Sequence, residues 1–432
     1  MKKYFSIPVF SLLLFTACSD KKHIASPNDY TIFLKEGLVE KEAGRINEER
    51  VFWQQRLQRD TGNFVDMMKL ASVHLRLFKL KGEINDLQTG DSLLKASTAK
   101  LNNNDPDILF AISQNSIAQH KFRDAALYNE SAQKAKGDMY TVRLLEFDAG
   151  MELGLYQNAS RSLATLKNKS SFDYLIRLAK EEDHKGNLDK AIKLMEQAFE
   201  KVKNKDKGLY CWALSNLADM YGHAGRIQES YNAYLDVLRK DSSYIYALKG
   251  IAWIAYSHDK NTAEAKHILH YILSQTKMPV LWLTLAEIEE WEGNEVKKNA
   301  YLRNFLDEIQ KPGYGDMYNN YLVEIYLDEL KDPGKALTIA DKEVNNRPTP
   351  ETFDLLAWTL YKKGENEKAF SFAKNNVNRR TFEPNAVLHT ALIFAGNGKK
   401  KEARQMLEEC LESSFELGPL LTKEIKKQLA SM

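Results

Sequence analysis

Apolar and polar positions along this chain alternate in one recurring motif. In "LSNLADMYGHAGRIQESYNAYLDVL", Leu214, Leu217, Ala218 and Tyr221 fall on one helical face, Gly225 interrupts, and Ser230, Tyr234 and Val237 fall on the next. The same places are held by Phe353, Leu356, Ala357, Leu360, Gly364, Ala369 and Ala373, and again by Val387, Thr390, Ala391, Phe394, Gly398, Ala403, Leu407 and Cys410. "LIRLAKEEDHKGNLDKAIKLMEQAF", from Leu175, follows them with Ala191 opening its second half. Spacings of three and four predict amphipathic helices, and the glycine predicts a left-handed cap between two of them. The small residue of each helix lets its partner approach closely, while the larger apolar residues fill the groove between the two. One such pair cannot bury its apolar face alone, so neighbours must stack.

The spacing from Leu214 to Leu248, and from Phe353 to Val387, is 34 residues. In this register, pairs are predicted from near 172, 211, 245, 279, 316, 350 and 384, and more weakly from near 106 and 140. A further pair near 64 reads as two helices with a long loop between them. A helix over 41–59 would cover its open end, and residues 413–432 read as a capping helix. The aromatic run 248–273 belongs to the pair at 245, with a slightly long loop at "SHDKNT". It is not a membrane span, because Lys249, Asp259, Lys260, Glu264 and Lys266 interrupt it. His267 and His270 sit one helical turn apart with His258 in the loop before them. These are read as surface or groove histidines rather than metal ligands.

These residues resemble the tetratricopeptide repeat, whose period is 34. The resemblance implies an all-α fold, a right-handed superhelical solenoid of antiparallel helix pairs, with about 9–10 repeats over residues 41–412. It also implies that first helices line a concave groove that binds a protein partner. Carried over by register, the inner face presents Asp219, Gly222 and His223, then Trp253, Tyr256 and Ser257. Glu287, Glu290 and Trp291 follow, then Glu324, Leu327 and Asp328, and finally Trp358, Tyr361 and Lys362. Of these, Trp253, Tyr256, Glu287, Glu290, Trp291, Glu324, Trp358 and Tyr361 are the expected partner contacts, aromatic anchors beside carboxylates. The groove is more acidic and aromatic than the basic carboxylate clamps known in the family, so that specificity is not carried over.

At the amino end, "MKKYFSIPVFSLLLFTACSD" joins two lysines to an apolar run and a cysteine, the pattern of a secretory signal. "FTAC" resembles the bacterial lipobox, with Phe15 where leucine is usual. That resemblance implies a signal peptide over 1–17, lipid attachment at Cys18 and a lipidated tether over 18–40. Ser19 after the cysteine points to the outer rather than the inner membrane of a bacterial envelope.

Composition narrows the functions. The 61 basic and 59 acidic side chains leave a net charge of +2, which offers no field for nucleic acid. Cys211 and Cys410 have no ligand-type spacing and lie in apolar helical patterns, so both read as buried thiols. No nucleophile elbow, phosphate loop or zinc-protease motif occurs, and neither enzymatic activity nor a cofactor is expected. Two readings remain. One is a lipid-anchored envelope scaffold that binds proteins through its groove. The other is a glycan- or peptide-binding lipoprotein of an outer-membrane uptake system, a class that resembles this one but carries large insertions absent here.

Overall fold

The computed structural model describes residues 23–432. Among them are 23 α-helices and no strand. After a short helical turn α1 (Pro27–Tyr30) and the long helix α2 (Leu38–Arg59), ten antiparallel pairs follow. They are α3 (Phe64–Lys81) with α4 (Ile84–Lys100), α5 (Pro106–Ala118) with α6 (Phe122–Lys134), and α7 (Met139–Glu152) with α8 (Tyr156–Ala164). Next come α9 (Phe172–His184) with α10 (Leu188–Val202), α11 (Lys207–His223) with α12 (Ile227–Lys240), and α13 (Ile245–Trp253) with α14 (Thr262–Gln275). The series ends with α15 (Val280–Trp291) and α16 (Glu295–Ile309), α17 (Asn319–Asp328) and α18 (Pro333–Asn346), α19 (Pro350–Lys362) and α20 (Asn366–Asn376), and α21 (Pro384–Gly396) and α22 (Lys400–Glu412). A last helix, α23 (Ser414–Ser431), closes the chain.

The predicted small residues sit where the helices of a pair touch. Ala357 and Ala369, Ala391 and Ala403, and Ala179 and Ala191 are all essentially inaccessible to solvent. A larger side chain at such a contact overpacks it, at about 1–3 kcal/mol. Every turn inside a pair contains one residue in the left-handed region. Glycine fills it in seven pairs, and His120, Lys260 and Lys331 fill it in the other three. Those three turns, in the pairs at 106, 245 and 316, lack a glycine at that place in the sequence.

The pair at 64 differs from expectation. Its helices are joined by Gly82 and Glu83 alone, and no long loop separates them. The residues read as loop are helical because α3 and α4 are each a turn longer than the typical repeat helix. The helix expected over 41–59 is α2, packed on α3. Residues 23–35, expected as tether, are packed against the array instead: Ala25 and Tyr30 are buried, and the Tyr271 hydroxyl donates to the Lys35 carbonyl at 2.8 Å.

The superhelix returns on itself. Arg347 pairs with Glu152, 195 residues earlier, at 2.8 Å. The Lys277 N–H donates to the Lys81 carbonyl at 2.7 Å, and the Phe382 ring lies against Gly186. In each case the turn inside an early pair meets the loop between two later pairs. Successive superhelical turns, between five and six 34-residue pairs long, therefore touch edge to edge. Gly154 shows how tight the seam is: it has a positive φ of 70°, and a Cβ there would lie 2.4 Å from the Pro348 carbonyl oxygen. Only glycine meets both conditions.

Candidate functional site

The inner faces of the first helices divide into two regions. In the first, formed by α11, α13 and α15, the groove is filled from within. Helix α13 continues into a π-turn, Ile254–His258, which accommodates the extra length seen at "SHDKNT". The wider turn places Trp253 and Ser257 together, and the indole Nε1–H and the Ser257 hydroxyl both donate to the Phe415 carbonyl, at 3.0 and 2.5 Å. The Phe415 ring occupies the space that a Cβ on Gly222 would need, 2.7 Å away. The next turn of α23 contains Gly418 in a non-helical conformation followed by Pro419, and this kink seats the backbone against Trp253 and the Glu287 carboxylate. Farther along, Lys423 Nζ lies 5.8 Å from the Trp291 ring centroid. Helix α23 is thus more than a cap on the last pair, because it also occupies the groove one superhelical turn earlier.

Five of the expected partner contacts lie here, and none is a free anchor. Trp253 and Trp291 are engaged by α23. Tyr256 is completely buried, so it belongs to the core rather than to a groove surface. Its hydroxyl and Glu287 Oε1 are both buried without a well-formed hydrogen bond. Burial, with the nearby Glu290 charge, pushes the Glu287 carboxyl up to about 7, while the Tyr256 phenol opposes that shift. Glu290 is ion-paired within its own helix pair by Lys298 at 2.9 Å, and Lys298 also reaches Glu329 of the next pair at 2.8 Å. At the edge of this region Asp219 accepts hydrogen bonds from Tyr234 and, at 2.7 Å, from Tyr246. Burial raises the Asp219 carboxyl and lowers the Lys249 ammonium.

The second region, on α17, α19 and α21, brings Glu324, Trp358 and Tyr361 together with residues the register did not single out. The Trp358 ring stacks on His389, with centroids 4.3 Å apart and planes 7° from parallel, and on Tyr361 at 5.4 Å. Lys362 Nζ lies 5.0 Å from the same indole and 2.5 Å from Asp328. His389 Nδ1 is 2.8 Å from Asp354. Burial disfavours the His389 charge, but Asp354 and Glu324 outweigh it and its pKa is raised. Burial pushes Glu324 up to about 7, with help from Asp354 and Asp328 and against His389. The Trp358 indole N–H and Asp354 Oδ1 are buried and have no hydrogen-bond partner among the described residues. The rim is open: Asp328 is 43% exposed and Lys362 32%.

A signal for His389 and Asp354 existed in the sequence. Each is an ionisable residue beside apolar neighbours in the middle of a first helix, in "NAVLHTAL" and "FDLLAW". Cys18 lies outside the described residues. Cys211 and Cys410 are buried, and burial raises their thiols to about 11 and about 12, which leaves them protonated and unreactive. His258 lies 2.8 Å from Asp259, and His270 instead meets Tyr301 at 3.3 Å. Among the described residues no three ligating side chains converge on a metal position, and no helix is long and apolar enough to cross a membrane.

No protein-family model and no curated protein sequence matches the chain. Solved structures that are similar include a tetratricopeptide repeat protein from Parabacteroides merdae, 16% identical, covering 60% of this chain and 97% of that one with a TM-score of 0.35. The APC/C hetero-tetramer Cut9–Hcn1 is 13% identical over 94% of this chain and 98% of that one, TM-score 0.37. The human IFIT1 dimer with PPP-AAAA is 12% identical over 80% and 89%, TM-score 0.41. The helix-pair solenoid described above rests on this chain's own packing.

Proposed function

We propose that the chain is an interaction scaffold, held to a bacterial outer membrane through lipid on Cys18, and that it binds a protein partner in the groove of α17, α19 and α21. One observation supports this most: Trp358 and Asp354 bury polar atoms that nothing among the described residues satisfies, beside the exposed side chains of Asp328 and Lys362. An unmet buried polar group costs about 1–3 kcal/mol. A partner backbone that accepts from the indole N–H, or a donor that reaches Asp354, recovers that cost on binding. Glu324 and Asp328 favour a basic segment. In the other region α23 already lies against Trp253 and Trp291, which favours α17, α19 and α21 as the binding surface.

The test is a crosslinked capture from native membranes with wild type and with a Trp358→Phe, Glu324→Gln variant of unchanged helical content. Loss of a specific protein from the variant supports the reading. Recovery of the same proteins with both removes the site from this groove. For the anchor, Cys18→Ser is expected to release the protein from the membrane fraction and change its mobility. Retention with unchanged mobility ends the lipid assignment.

A further inference from the structure

The seam between superhelical turns encloses a second site. A cleft of about 640 Å³ lies where the ends of α9 and α11 face the start of α21, the end of α22 and the first turn of α19. Its walls place Asp183 from the earlier turn opposite Glu351, Glu383 and Glu416 from the later one. Among the described residues no lysine or arginine ion-pairs with any of these four. Glu416 has His223 at 3.8 Å. The one arginine in the cleft, Arg379, is held by both oxygens of Glu409, at 2.9 and 3.1 Å. Thr390, 2% exposed and on the same wall, has a hydroxyl with no partner among the described residues. Leu188, Phe382 and Val387 make the surface between the charges apolar.

We propose that this cleft binds an alkylammonium ligand, a polyamine or a lysine side chain, with its ammonium groups on the carboxylates of both turns and its methylenes along the apolar wall. The volume is that of a small-molecule site. The carboxylates are spread across the cleft rather than converged, and they form no metal-type ligand set. That spacing suits an extended polycation better than a point ion. Their mutual repulsion agrees. Burial and then Glu416, Glu351 and Asp183 push Glu383 up to about 7, although its side chain reaches solvent. Burial likewise raises Asp183 and Glu416. An occupant would neutralise charge from both sides of the seam and fasten one superhelical turn to the next. This inference is independent of the partner groove.

The test is calorimetric titration of the full chain in detergent with spermidine at 150 mM NaCl, beside a lysine-rich peptide, calcium chloride and magnesium chloride. The expected result is saturable one-to-one binding of an amine, weakened at least tenfold by Glu383→Gln with Glu416→Gln and unchanged by Glu36→Gln with Glu367→Gln on open surface. Binding of the peptide but not of spermidine supports the same chemistry delivered by a protein. The proposal is overturned if neither amine binds saturably, if the double variant binds as well as wild type, or if only the divalent cations compete for the carboxylates. Circular dichroism of each variant separates lost binding from lost fold, and Asp183→Asn approaches the same site from the opposite wall.

Discussion

The two halves of the inner groove are built from the same register and have opposite fates. Around α13, the indole of Trp253 has an acceptor in the Phe415 carbonyl and the aromatic floor is roofed by α23. Around α19, the indole of Trp358 has none and the rim is open. The difference arises outside the repeats themselves. One superhelical turn after the first region, α23 is laid over it, with Phe415 and Gly418 against Trp253. A repeat's sequence therefore sets what its inner face carries, whereas its position along the superhelix sets whether that face is free.

The largest effect should come from removing the roof. Phe415→Ala is expected to cost about 2–3 kcal/mol of stability and to release α23. Hydrogen exchange should rise over 253–258 and 415–425 and stay unchanged over 324–394. A rise over both stretches would show that the halves are one cooperative unit and break the comparison.

Protonation comes next. Glu287 and Glu324 are both pushed up to about 7, one in each half. A carboxyl raised in the folded state binds its proton more tightly there than in the unfolded chain, so stability falls as pH rises from its ordinary value through about 7. Raised His389 acts in the same direction, while the lowered His120, His184 and His270 oppose it below about 6.5. The melting temperature is expected to be a few degrees higher at pH 6.5 than at pH 8. In the Phe415→Ala variant, carboxyl carbon titration by NMR should show Glu287 moving down toward its ordinary range while Glu324 stays in place.

The sharpest contrast uses one substitution twice. Trp253→Phe deletes a hydrogen bond and is expected to cost about 1 kcal/mol, read as a shifted urea midpoint. Trp358→Phe removes an unmet buried donor and keeps the stack on His389, so stability should hold or rise. Partner capture should fall only for Trp358→Phe. Equal losses of stability would erase the distinction. The smallest effect is local: Lys331→Gly in the turn of the open half should stabilise by roughly 0.5–1 kcal/mol, because it relieves a left-handed φ of 54° on a side chain.

What the sequence made legible was local. The period, the alanine contacts and the turn glycines follow from spacings within 34 residues, and the pairs at 211, 279, 316 and 350 lie where that register puts them. The seam was not legible. Contacts such as Arg347 with Glu152 depend on a small rotation per pair summed over more than five pairs, and no short pattern encodes that sum. For the same reason Trp253 and Trp291 read as free anchors, since nothing near them in the chain announces Phe415 or Lys423. The π-turn left only a trace, the long loop at "SHDKNT", and Tyr256 was turned into the core by it.

That π-turn is also where the two ends of the described chain meet. Asp259, just beyond it, accepts from the Ile24 and Ala25 N–H groups at 3.0 and 2.8 Å, while Trp253 and Ser257 hold Phe415 from the other side. A pull applied through residue 23 therefore does not peel the solenoid from its first pair. It enters at the waist and loads in shear the Asp259 contacts together with the Ser26–Tyr231 and Tyr30–Glu264 hydrogen bonds, while the seam keeps the superhelical turns on either side fastened to each other.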